Sequence, residues 1–89
     1  MAKLISYDLR APGRDYSKLK EAILAYPNAC KVTKSCWLVT FTGSCSDLRN
    51  NLFQNMDAND VLFVVDLKIE SSGQNIICGQ KGLDAVMHT

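Results

Sequence analysis

Seven consecutive residues, Val61-Leu62-Phe63-Val64-Val65-Asp66-Leu67, are the most strongly β-forming run in this chain. Alternation sends Val61, Phe63, Val65 and Leu67 to one side and Leu62, Val64 and Asp66 to the other. Both sides are largely apolar, so the run demands cover on two faces. A chain of 89 residues makes one domain, and one this short buries only about 60–65% of the surface its unfolded form exposes. A flat two-layer fold of this size is therefore expected to cover its second face with a partner.

The segments before that run alternate between two periods. Residues 3–9 read as a strand, with Ile5, Tyr7 and Leu9 on one side and Leu4, Ser6 and Asp8 on the other. Ala11-Pro12-Gly13 turns the chain. Leu19, Ala22, Ile23 and Tyr26 then follow the spacing of a buried helical stripe, capped by Asp15 or Ser17 and stopped by Pro27. Residues 29–33 read as a weak edge strand guarded by Lys31, and residues 36–41 as a stronger one. A second helix is expected over residues 46–56, capped by Ser44 or Ser46, before the polar turn Asp57-Ala58-Asn59-Asp60.

The order β-α-β-β-α-β predicts an α+β, ferredoxin-like domain over residues 1–70, with antiparallel sheet order 4-1-3-2 and both helices on one face. Leu62 and Val64, with Leu4 and Leu38, are expected on the uncovered face, and a homodimer is the simplest way to bury them. Residues 71–89 form a C-terminal extension, with a short fifth strand at 75–78 that pairs with a neighbouring subunit and a mobile tail beyond it.

The chain has no run of about 18 apolar residues that would span a membrane. Its N-terminus enters a strand pattern without a signal-peptide core, so a cytoplasmic location is expected. Cys30, Cys36, Cys45 and Cys78 form no Cys-x-x-Cys pair, and the single histidine is His88. That spacing argues against zinc, and four reduced thiols are expected. No histidine stands beside a serine or cysteine to make a nucleophile, and no glycine-rich phosphate loop is present. The net charge of +1 conceals an excess of +4 over residues 1–34, against −3 over the remainder.

The assumed topology gathers Asp8, Ser6 and Arg10 near Lys34, Ser35 and Trp37, and near Asp57, Asn59 and Asp60. Carboxylates flanked by Lys and Arg suit Mg²⁺ and phosphate. Asp8 is then either a site residue or a turn residue, whereas Asp57 and Asp60 are expected to build their turn. Trp37 either stacks on a base or fills the core, and the core is favoured.

The strand Leu4-Ile5-Ser6-Tyr7-Asp8-Leu9, the segment Pro12-Gly13-Arg14-Asp15-Tyr16-Ser17-Lys18-Leu19, the Trp37-Leu38-Val39 strand and the stretch from Asp57 to Val64 together resemble the CRISPR-associated endoribonuclease (Cas-two) family. The resemblance spans residues 3–67 and is nearest to its stand-alone SinR-like branch, related to the virulence-associated protein D toxins. It implies a ferredoxin-like homodimer in which Asp8 is the metal-binding and catalytic position, Mg²⁺ the cofactor, and RNA or DNA phosphodiesters the substrate. Arg10, Arg14 and Lys34 are the candidate phosphate contacts. The alternative is a non-catalytic dimeric scaffold or regulatory module that binds nucleic acid or protein through the same surface.

Overall fold

The computed structural model describes residues 2–11, 13, 15–67, 74 and 76–87, with side chains at all of these except 80 and 84. The elements follow in the order β1 (Ala2–Asp8), α1 (Ser17–Leu24), β2 (Cys30–Thr33), β3 (Cys36–Thr40), α2 (Cys45–Phe53), β4 (Val61–Leu67) and α3 (Gly79–Met87). The four strands make one antiparallel sheet in the order β2-β3-β1-β4, which is β4-β1-β3-β2 read from the other edge. This small α+β architecture is compatible with the ferredoxin-like class.

Register fixes which side chains share a face. Ile5 lies opposite Trp37 and Val64, and Ser6 opposite Cys36 and Phe63. On the first face Ile5, Trp37 and Val39 pack with Leu19 and Ile23 of α1 and with Leu48 and Leu52 of α2. The caps explain where these helices begin. Ser44 accepts the Asp47 N–H at 3.1 Å, and Asp47 lies in the positive first turn of α2. Asp15 accepts the Ser17 N–H at 2.9 Å, just ahead of α1. That hydrogen bond holds the Asp15 carboxyl below the ordinary aspartate value.

The structure corrects the expected cover of the second face. Leu62 and Val64 pack against the cluster beneath α1 and α2, whereas Val61 and Phe63 are 43% and 60% exposed. Nor is the second face bare. Leu83 and Val86 of α3 bury against Ala2, Cys30 and Leu38, with Leu4, Val32 and Leu67 beside them. The tail expected to be mobile is thus a helix over Gly79–Met87, because Leu83, Val86 and Met87 repeat at i, i+3 and i+4.

The fifth strand expected at 75–78 falls partly on Asn75, outside the described residues. Over the part that is described, Ile77 and Cys78 donate their N–H groups to Val32 O (3.2 Å) and Lys31 O (2.8 Å) of the chain's own β2, with no strand formed. That approach joins Cys30 to Cys78 in a disulfide, with Cα atoms 5.4 Å apart, and leaves Cys36 and Cys45 free. The expectation of four reduced thiols is corrected accordingly. Gly82 permits the approach, since a Cβ there would stand 3.1 Å from Cys78 Cβ and 3.2 Å from its sulfur.

Candidate functional site

Three connections meet where β1 ends. Tyr7 anchors the first of them. Its N–H donates to Ser35 O at 3.0 Å, and its hydroxyl contacts Lys34 O at 3.4 Å and accepts the Trp37 indole N–H at 3.1 Å. The β2–β3 turn carrying Lys34 is therefore held beside the strand end, as the topology predicted. Trp37 is buried in the core and presents no free ring face for a base.

Asp60 anchors the other two. It is buried, and its carboxylate accepts the Arg10 N–H at 2.6 Å, the Tyr16 hydroxyl at 2.9 Å and the Asp57 N–H at 2.7 Å. A carboxylate withdrawn from water is tolerable when donors surround it in this way. Asp57 accepts the Asn59 N–H at 3.1 Å, and the Asp60 N–H returns to Asp57 O at 3.0 Å. The two acidic residues build their turn, and Asp60 also ties it to the loop after β1.

Asp8 occupies the other face, in register with Val61 of β4. Its side chain is 62% exposed and pairs with Arg10 Nε at 3.0 Å. Exposed pairs of this kind contribute roughly 0.2–1 kcal/mol, so Asp8 remains available to a stronger cation. Around it lie Ser6, Cys36, Val61 and Phe63, the corner of the second face that α3 leaves open. Burial pushes the Cys36 thiol above its ordinary value. Arg14 falls outside the described residues, while Arg10 and Lys34 are exposed at this end of the sheet.

Among the described residues, no three metal-ligating side chains come together. Among the described residues this corner offers Mg²⁺ a single carboxylate, already paired with a guanidinium, and that donor alone does not fit such a centre.

Two features escaped the sequence reading. Lys3, buried in the sheet, pairs with Asp66 at 3.2 Å directly across β1 and β4. The signal was a lone cation and a lone anion at opposite ends of two apolar strands, but pairing them required the register. The second feature is a groove of about 440 Å³ between α2 and β4, lined by Arg49, Asn50, Phe53, Asp60, Val61 and Leu62.

No family model, curated protein or solved structure matches the chain. No helix among the described residues is long and apolar enough to cross a membrane.

Proposed function

We propose that this chain is a Cas-two-like protein of ferredoxin-like fold that works as a homodimeric nucleic-acid-binding scaffold. The observation that carries the reading is the pair of Tyr7 bonds to the Lys34-Ser35 turn. They set Lys34 at the same end of the sheet as Arg10, within the basic first third of the chain. Two exposed cations at one strand end suit phosphate, and a twofold axis doubles them. The state of the carboxylates supports binding without cleavage: Asp57 and Asp60 are engaged in their turn, which leaves Asp8 as the one exposed carboxylate at this corner among the described residues.

A second reading, metal-dependent cleavage of phosphodiesters, is favoured by the exposure of Asp8 at the open corner. Among the described residues one protomer supplies one carboxylate there, so that reading draws on the second copy for another.

The test is fluorescence anisotropy with labelled single- and double-stranded RNA and DNA between 50 and 200 mM salt, paired with a cleavage assay in Mg²⁺ or Mn²⁺. Binding is expected to weaken steeply with salt, and Arg10→Ala and Lys34→Ala each to lower the salt slope by about 1. Cleavage by the wild type that vanishes in Asp8→Asn replaces the scaffold with the nuclease. No binding at 50 mM salt ends both readings.

A further inference from the structure

α3 differs from the other two helices in what holds it. α1 joins β1 to β2 and α2 joins β3 to β4, so strands fix each of them at both ends. α3 follows the last strand and returns to the sheet at one covalent point, the Cys30–Cys78 disulfide, one residue ahead of the helix. The Ile77 and Cys78 N–H bonds to β2 lie at that same point. α3 is nine residues long, and isolated helices shorter than about 12–15 residues are marginal in water. Gly79 opens it at a φ of 74° and Gly82 stands within it, and glycine lowers helix propensity. Among its described residues, Leu83 and Val86 are the side chains it buries.

The two sulfurs are unequally sheltered. Cys30 is 1% exposed, whereas Cys78 is only partly buried. An incoming thiolate therefore meets the Cys78 sulfur first. Attack there forms a mixed disulfide on Cys78 and expels Cys30 as a thiolate, which takes up a proton. The second thiol of a dithiol then attacks the mixed disulfide. Cys78 leaves as a thiolate and is protonated in turn, and the dithiol departs as its own cyclic disulfide. The protein is reduced by the two electrons that the dithiol loses.

We propose that the Cys30–Cys78 bond is a thiol-operated latch. Reduction by a dithiol releases α3 from the second face while the rest of the fold stands, and reoxidation closes it again. The fold stands because the cluster of Ile5, Leu19, Ile23, Trp37, Val39, Leu48 and Leu52 contains no residue of α3. Release bares Ala2, Leu4, Val32 and Leu38, which α3 covers in the closed state. Leu4 and Ser6 alternate along β1, and Leu38 and Cys36 lie opposite them on β3. The bared patch therefore runs without a break into the open corner beside Asp8. Opening the latch turns a small exposed corner into an apolar surface across the second face, and the thiol state of the surroundings decides which is presented. The inference is independent of nucleic-acid binding and of the homodimer.

Peptide-resolved hydrogen exchange on the full chain tests it, in a Cys36→Ser/Cys45→Ser background that leaves one reactive pair. Mass labelling of thiols before and after dithiothreitol reports the state of Cys30 and Cys78. Once both label, exchange over residues 79–87 is expected to quicken by about tenfold or more, with α1, α2 and β1 unchanged. Fluorescence of an anilinonaphthalene sulfonate dye is expected to rise as the apolar face opens. Oxidised glutathione is expected to restore both signals. Cys30→Ser/Cys78→Ser is expected to match the reduced chain with or without dithiothreitol, which separates loss of the bond from other actions of the reductant. The chain with all its cysteines, read in the same way, covers the case in which the background variant does not fold. Unchanged exchange in α3 after both thiols label overturns the latch, because packing then holds the helix alone. Loss of protection in α1 and α2 alongside α3 also overturns it, because the bond then supports the whole fold. Cys30 and Cys78 that label before dithiothreitol, and again after oxidised glutathione, have no bond to open and overturn it as well.

Discussion

The two faces of the sheet are covered by different means. On the first, α1 and α2 arrive as the connections between strands, and Ile5, Ile23, Val39, Leu48 and Leu52 are sealed from solvent. On the second, cover comes from a single later helix, α3, clamped by the Cys30–Cys78 disulfide over Ala2, Leu4, Leu38 and Leu67. Helices that link the strands protect a face as a consequence of topology. A helix added afterwards protects only the part it reaches, and Asp8, Val61 and Phe63 beyond it stay exposed.

The contrast can be broken most directly at the disulfide. It closes a loop across a sequence separation of 48, and chain-entropy arguments give such a crosslink about 4 kcal/mol. Cys30→Ser/Cys78→Ser is therefore expected to shift the denaturation midpoint strongly, with faster hydrogen exchange in α3 than in α1 or α2. An unchanged midpoint would mean that packing alone holds the helix.

Core truncations sharpen the comparison. Leu48→Ala on the first face is expected to cost about 3 kcal/mol. Val86→Ala on the second removes less apolar volume and is expected to cost about 2 kcal/mol. Urea titrations of the two variants measure the difference, and an equal or reversed order would make the α3 face the better packed.

The smallest effect concerns Cys36, half-buried beside the open corner. Burial raises its pKa, so less thiolate is present at pH 8 than for an unstructured cysteine. Alkylation of Cys36 is expected to be slower than that of a peptide thiol at pH 8, with the gap narrowing as pH rises. Equal rates at pH 8 would show that this corner is fully hydrated.

Much of the first face was legible in the residues. Ile5, Tyr7, Trp37 and Val39 alternate, and Leu19, Ile23, Leu48 and Leu52 keep helical spacing, so local period alone assigns them. The second face was not. Leu62 and Val64 were placed on the wrong side because alternation gives two sets of residues without saying which is inward; that needs the pairing of Ser6 with Phe63. α3 was hidden by Gly79 and Gly82, which lower helix propensity. Gly82 is there for contact, since the helix must ride close to the Cys30–Cys78 sulfurs. The disulfide was hidden with it, because Cys78 reaches Cys30 only once the segment folds back on β2. At the candidate site, Asp57 and Asp60 were legible as turn builders, but the reach of Asp60 to Arg10 and Tyr16 crosses 50 and 44 positions of sequence and leaves no local signature.

That reach has a mechanical consequence. The carboxylate that pins the backbone of Arg10 also sits one residue ahead of Val61, where β4 begins. Replacing Asp60 with Asn is therefore expected to loosen both the loop after β1 and the first rung of β4, read as faster hydrogen exchange at Arg10 and Val61. One carboxylate thus couples two segments that lie 50 positions apart in sequence.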